Sequence, residues 1–334
     1  MGRVLVTGGA GFIGSHLVDA LVARGDEVVV LDNLSVGRRE HLLQHAGNSH
    51  VTLHVGDVVD KSAVRAAVAG CHVVFHLATQ SVRISLLDPE LVHRVNTEGT
   101  LNLLLAASAA RVARFVYVSS SEAYGTAQVV PMAEDHPCDP TTIYGAAKLA
   151  GEHYSTAIRR THGLPAVIVR PFNTYGPRSH FKGAYGELIP KFVVRALNGE
   201  PPIVFGDGLQ TRDFTYVSDT VDGLIRASIA DGLIGSRVNI ARGQEVTINE
   251  IARLVLRACG RPHLVPVHGP ERPADVRRHH ADITRARQVL GFEPRVGIET
   301  GIQRYVDWFR STFPDPSPLI HEEQPYNWQP KIGV

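Results

Sequence analysis

Cysteine is scarce in this 334-residue chain: Cys71, Cys138 and Cys259 are the whole complement. Three scattered thiols supply neither a disulfide framework nor the ligand spacing of a zinc site, and they read as buried thiols in a reducing compartment. No apolar run reaches the ~18 residues that a membrane span needs. The opening residues, MGRVLVTGGAGFIG, carry one basic side chain and no long apolar stretch, unlike a secretory leader. These absences predict a cytoplasmic protein with no membrane partner. Charge of one sign is missing too: Lys+Arg 34 against Asp+Glu 33 leaves a net charge of +1, which gives no field for nucleic acid. Among the 17 histidines, the adjacent His279 and His280 diverge, and no acid or cysteine stands at ligand spacing. No metal is expected. No internal repeat is visible.

What is present is a hydrophobic fraction of 44%, enough for a large core. The length suggests about two domains, or one domain with an appendage. RVLVT from Arg3, EVVVLD to Asp32, VTLHVGD to Asp57, VVFHLA to Ala78, RFVYVSS to Ser120 and AVIVRP to Pro171 read as strands. They are nearly continuous apolar runs, as parallel strands covered on both faces require. Helical periodicity falls between them, at Phe12–Arg24, Leu91–Ala110 and Tyr144–His162. The βαβ rhythm predicts an α/β, Rossmann-type doubly wound parallel sheet.

After about Asn173 the rhythm breaks. Glycine and proline cluster, and only two brief strands are expected, near Ile203 and Val238. Thr247-Ile-Asn-Glu250 is a capping box, opening a helix that Gly260 should close. The expected division is a dinucleotide-binding domain over 1–172, a smaller α/β substrate lobe over 173–313, and an extended Pro-rich tail over 314–334, with later segments returning to the sheet.

Gly8, Gly11 and Gly14 follow the first strand directly and open a helix. Glycine there lets the backbone turn tightly and approach a pyrophosphate, while the helix N-terminus offers free N–H groups. Asp32 ends the next strand, where an acid accepts hydrogen bonds from ribose hydroxyls and repels a 2′-phosphate, so NAD is the expected cofactor. The same aspartate would also serve as a turn cap. Asp57 is a candidate for the adenine amine, or else a turn residue.

Tyr144 and Lys148, in YGAAK, stand four apart and share one helix face. A nearby cation stabilises phenolate, letting tyrosine work as a base below its free pKa of ~10. TGGAGFIGSHL from Thr7, HLAT from His76, SSSEAYG from Ser119, YGAAK, RPFNTYGPR from Arg170 and GDGLQTRDFTYVSD from Gly206 occur in one order. Together they resemble the extended short-chain dehydrogenase/reductases that modify nucleotide sugars, from about Val4 to Phe309.

The resemblance implies that the sugar is oxidised at C4 while Tyr144 removes the 4-hydroxyl proton, with Ser120 bonded to that oxygen. Lys148 would hold the nicotinamide ribose and lower the Tyr144 pKa. Phe12, Ile13, Asn33, Val58, Leu77, Ala78 and Thr79 would also face the cofactor. The 4-keto sugar acidifies C5, and Ser120-Ser121-Glu122 resembles the Thr-Ser-Glu of nucleotide-sugar decarboxylases and of some 4,6-dehydratases. A carboxylate at Glu122 suits a general base; it would equally be a solvated loop charge. UDP-glucuronate decarboxylation, to a UDP-4-keto-pentose or UDP-xylose, is narrowly favoured over 4,6-dehydration and over C4 epimerisation. Against it, His279 stands where decarboxylases carry an arginine, and Arg278 is the only substitute nearby.

At the nucleotide end, the resemblance sets Arg212 and Arg272 on the diphosphate, a role suited to paired guanidinium hydrogen bonds, although each would also make a surface salt bridge. Asn173 would bind phosphate. Leu188 and Phe205 would pack a uracil ring, or simply the core. Arg83 would read a carboxylate or phosphate, or lie solvated. The resemblance also implies a homodimer through a four-helix bundle, built on Leu91–Ala110 and Tyr144–His162. A rival of another class is a catalytically retired NAD-binding regulator; intact Ser120, Tyr144 and Lys148 argue against it.

Overall fold

A computed structural model describes residues 2–328. Seven parallel strands form the central sheet: β1 (Arg3–Thr7), β2 (Glu27–Asp32), β3 (Val51–Val55), β4 (Val73–His76), β5 (Arg114–Val118), β6 (Ala166–Pro171) and β11 (Arg237–Ile240). Their order is β11-β6-β5-β4-β1-β2-β3. The chain reverses direction across the sheet between β1 and β4, and that switch point opens a crevice at the carboxyl ends of the strands.

Both faces of the sheet are covered, which is why the strand sequences are apolar throughout. Val4, Val6, Val28 and Val30 pack with α1 (Phe12–Ala23) and α7 (Val217–Ile229). Leu5, Val29 and Leu31 face the other way, onto α2 (Lys61–Val68) and α4 (Gly99–Ala109). Each fully buried valine or leucine contributes about 1.5–3 kcal/mol of transfer free energy. α5 (Ile143–His162) runs beside α4, and Gly163, at φ +74°, ends it in the left-handed conformation that suits glycine.

The helix expected at Leu91–Ala110 is a composite. α3 (Pro89–His93) passes through a π turn at Arg94–Glu98 into α4. The extra residue of such a turn re-aims side chains. Here Asn96 accepts from the Gln80 N–H at 2.7 Å and donates to the Gln80 carbonyl at 3.1 Å, fixing the loop after β4.

The second half holds more strands than its sequence suggested. Besides β11, which joins the main sheet, there are β7 (Thr174–Tyr175), β8 (Ile203–Phe205), β9 (Thr211–Asp213), β10 (Thr215–Tyr216), β12 (Glu245–Thr247) and β13 (Val267–Gly269), paired two by two. Two- and three-residue strands are too short to show a period. The lobe is completed by α6 (Leu188–Leu197), α8 (Ile248–Ala258), α9 (Thr284–Leu290) and α10 (Ile298–Thr312). Thr247 caps α8 by accepting from the Glu250 N–H at 3.1 Å.

The tail departs from the extended form expected of it. Ser317–Glu322 forms a 3-10 helix, and the segment behind it folds back onto the lobe as far as Trp328. Residues 329–334 of the expected tail lie outside the described residues. Among the described residues no helix is long and apolar enough to cross a membrane.

Candidate active site

One crevice runs from the glycine turn after β1 to the lobe, and the candidate cofactor, catalytic and substrate residues named from the sequence line it, apart from Arg278 and His279. At its first end, Gly8 has φ +70°, and a Cβ there would lie 2.9 Å from the Ala78 backbone nitrogen. At Gly14 a Cβ would come within 2.1 Å of the Gly8 carbonyl oxygen. No side chain caps α1 at Gly11, so the first-turn N–H groups lie open towards the crevice. A larger residue in this turn would fill the cradle that a pyrophosphate needs.

Asp32 is 7% exposed; its Oδ2 accepts from the Ala10 N–H and its Oδ1 from the Leu34 N–H, both at 2.9 Å. Burial pushes its carboxyl above the usual carboxylate range, and these two donors oppose the shift. Asn33 donates to Asp57 at 2.7 Å across the mouth beside it. Asp57 follows β3 rather than ending it. Behind the turn, His76 bridges Thr7 at 2.8 Å and Thr100 at 2.9 Å, and burial lowers its pKa to about 3, which keeps it neutral. This end of the crevice fits a dinucleotide.

The middle of the crevice holds the reactive groups. β5 delivers Ser120 and Glu122 on the turn that follows it, and α5 delivers Tyr144 and Lys148. Gly145 makes the close approach of the two elements possible: a Cβ there would sit 2.4 Å from the Glu122 carbonyl oxygen. Lys148 is buried and donates from Nζ to the Val118 carbonyl at 2.9 Å, with Nζ 5.8 Å from the centre of the Tyr144 ring. Burial drives Lys148 down to about 7 and raises the Tyr144 phenol to about 12, the hydrogen bond with Ser120 opposing that rise. A lowered tyrosine pKa, expected from Lys148, is therefore not a property of these residues alone.

Three groups on the crevice wall complete this picture. Arg83 donates to the Tyr185 carbonyl at 3.1 Å and keeps a buried, unpartnered Nε. Glu187, which no sequence motif signalled, lines the crevice at the start of α6. Burial raises its carboxyl to about 7, with Arg83 opposing. Glu122, Arg83 and Glu187 all act on the ionisation of Tyr144, so they share its surroundings.

The segment before Asp282 does not supply the substitute arginine considered from the sequence. Arg278 turns outward and pairs with Glu245 on the surface. His279 is fully buried beside Phe172 and the Gly125 carbonyl, off the crevice wall, and burial holds its pKa at about 3. Neighbouring residues in extended chain point to opposite sides, here solvent and core, and neither Arg278 nor His279 lines the crevice.

At the far end Arg212 and Arg272 converge on one carboxylate, Asp275, with Arg212 at 2.7 Å. Asn173 lines the wall with a buried, unpartnered Oδ1. Leu188 and Phe205 line the same crevice, and Phe205 meets Trp328 edge-on at 4.5 Å. Trp328, Asn327 and Glu323 also line the crevice, although they belong to the tail.

The chain is 40% identical to the UDP-glucose 4-epimerase of Mycolicibacterium smegmatis over 312 residues, covering 92% of this chain and 99% of that protein. UDP-glucuronic acid decarboxylase 1 of Danio rerio is 36% identical over 315 residues, covering 92% of this chain and 72% of that protein. Among solved structures, the dTDP-glucose 4,6-dehydratase of Streptomyces venezuelae with NAD bound matches with a TM-score of 0.88 at 32% identity, covering 95% of this chain and 99% of that one. The pattern of the GDP-mannose 4,6 dehydratase family spans residues 5–305.

The chain therefore belongs to this family of NAD-dependent nucleotide-sugar epimerases and dehydratases. It is an enzyme that modifies nucleotide sugars, and NAD is its cofactor. Epimerase, dehydratase and decarboxylase relatives all occur at comparable identity, so the reaction must be argued from the site.

Proposed function

We propose that this enzyme is a nucleotide-sugar 4,6-dehydratase. The observation that carries the reading is the pair of carboxyl groups, Glu122 and Glu187, around Tyr144, with Arg83 as the guanidinium acting on both acids' surroundings. An elimination needs one base and one acid, and two carboxyl groups, one of them (Glu187) raised by burial, can supply the pair. A glucuronate carboxylate placed among them would meet like charge without the arginine that decarboxylases carry at the position of His279, a role Arg278 does not take up, which weighs against the decarboxylation favoured by sequence alone.

NAD, when bound, would supply the hydride chemistry, as acceptor for the C4 hydrogen and donor to C6. Tyr144 takes the proton of the 4-hydroxyl while Ser120 holds the oxygen. Glu122 removes the proton that the C4 ketone has acidified at C5 and returns it to C5 once C6 has gained its hydride. Glu187, part-protonated near neutrality, gives its proton to the departing C6 hydroxyl, which leaves as water. Gly8, Gly11 and Gly14 with Asp32 hold the dinucleotide; Arg212, Arg272 and Asn173 hold the diphosphate. The same reading pairs two chains across α4 and α5, where Leu101 and Leu105 are exposed.

Mass spectrometry after incubation with NAD and, in separate reactions, UDP-N-acetylglucosamine, UDP-glucose, dTDP-glucose and UDP-glucuronate tests this reading. Loss of one water from a hexose substrate supports it. Loss of carbon dioxide from UDP-glucuronate, or unchanged mass with altered retention, overturns it in favour of decarboxylation or epimerisation. If a Tyr144→Phe variant kept its full biological effect, the protein would be a regulator instead.

A further inference from the structure

Residues 314–328 lie beyond the stretch that carries the family pattern, which ends at 305. They are nevertheless tied to the lobe at the nucleotide end of the crevice. Lys191 donates from Nζ to the carbonyls of Gln324 at 2.9 Å and Pro325 at 2.8 Å. The Glu323 carboxylate, 3% exposed, lies 3.0 Å from Arg195 and 3.9 Å from Lys191. Asn327 donates to the carbonyls of Gly186 at 2.9 Å and Ala184 at 3.2 Å, on the loop that leads into α6. Each contact joins a charged or amide group to a backbone or carboxylate partner within a mostly buried setting, so the segment is held as a strap rather than left as a loose end.

The strap ends in aromatic side chains. Trp328 is 7% exposed and meets Phe205 at an interplanar angle of 86°, while Tyr326 lies 5.6 Å from Phe205 and 5.7 Å from Trp328. Two perpendicular rings form a corner: a planar base can stack on one while its edge meets the other. Trp328 and Phe205 line the same crevice as Arg212 and Arg272.

We infer that the C-terminal strap builds the outer wall of a nucleobase subsite, with Trp328 as a base-contacting residue that the family pattern does not include. The inference rests on the nucleotide-sugar reading above: the diphosphate on Arg212 and Arg272, the base in the corner between Phe205 and Trp328. The strap adds base recognition to a phosphate clamp that by itself is indifferent to the base.

The chain has two tryptophans, Trp308 and Trp328, so a Trp308→Phe protein reports on Trp328 alone. Titration of this full-length protein with UDP should change its emission, whereas inorganic pyrophosphate, which offers the charges without a base, should not. Calorimetry should show Trp328→Ala weakening UDP about tenfold, as the loss of an aromatic contact with a base does. Trp328→Phe should keep most of the affinity, which separates the lost ring from a disturbed fold. Equal UDP affinity in wild type and Trp328→Ala overturns the inference, and so does tighter binding by the variant, since the strap would then be occupying the base position. If wild type binds NAD but neither UDP nor dTDP, the nucleotide-sugar reading fails and takes this inference with it.

Discussion

Replacing Gly145 by alanine asks how far the closeness of α5 to the Ser120–Glu122 turn sets the reactive geometry. The added Cβ would lie 2.4 Å from the Glu122 carbonyl oxygen and 2.9 Å from the Pro140 Cβ. A backbone oxygen cannot swing aside as a long side chain can. Restoring an ordinary contact of 3.4 Å therefore opens the gap by about 1 Å. Helix propensity acts in the opposite direction, since alanine is better than glycine by about 1 kcal/mol within a helix, and less so in a first turn such as this. The fold should tolerate the change. The chemistry should not: a misplacement of about 1 Å costs about 100-fold in rate, or roughly 2.7 kcal/mol of transition-state stabilisation. Tyr144 sits one residue away and moves with the turn, while Lys148 moves with it on the same helix. The phenol should thus lose its register with Ser120 and the sugar rather than with its own lysine. Steady-state kcat and KM at saturating NAD, with a thermal melt alongside, read this directly. The expected result is kcat reduced about 100-fold, with KM and melting temperature close to wild type. Gly297→Ala, whose Cβ would meet nothing within 4 Å, is the matched control. A Gly145→Ala enzyme with kcat within about twofold of wild type would refute the argument that this contact positions the phenol.

Tyr144→Phe should lower kcat by about 10²–10⁴-fold while NAD still binds, measured by product formation and by cofactor retention on gel filtration. The Glu187 carboxyl, raised to about 7, loses its proton as pH rises through that value, so kcat/KM should decline on the alkaline side; Glu187→Gln should be slow and lack that decline. A wild-type profile that does not change through this window would remove Glu187 as the acid. Glu152 receives Arg170 through two hydrogen bonds of 2.6 and 2.7 Å in a wholly buried setting, so Glu152→Leu strands a guanidinium and should cost about 3–5 kcal/mol in urea unfolding. Glu152→Leu with Arg170→Met should recover most of that loss, because both charges then leave the core together.

The dinucleotide half was legible because its signals are local and redundant. Strands buried on both faces announce themselves as apolar runs, and a glycine turn between strand and helix leaves few alternatives; Asp32 then stands at the end of the neighbouring strand. Tyr144 and Lys148 could be placed on one helix face by spacing alone. The part of the crevice around Arg83 and Glu187 was not legible in the same way. Glu187 stands in a loop at the head of α6, and its raised carboxyl comes from burial that only the folded lobe creates. Arg278 and His279 differ by one position, yet one faces solvent and the other the core, a choice that the register of the extended chain makes. The tail misled for a different reason: its proline-rich composition shows no period, while its anchors, Lys191 and Arg195, lie more than a hundred residues earlier. The π turn at Arg94–Glu98 left no sequence mark, because one additional residue barely disturbs a helical pattern.

The carboxylate of Asp275, shared by Arg212 and Arg272, acts as an internal competitor for any ligand of those arginines. An incoming anion must release both guanidiniums from a partner they already hold. A single weakly charged group gains little from that exchange, whereas a diphosphate can engage the two cations at once and exceed what it displaces. On the proposed reading free inorganic phosphate is thereby a poor occupant, and selection for a diphosphate begins before any base or sugar is read. The same aspartate is ready to take the arginines back when product leaves, so departure does not strand the buried Arg212 guanidinium without a partner. Binding is made more demanding and release easier by one side chain.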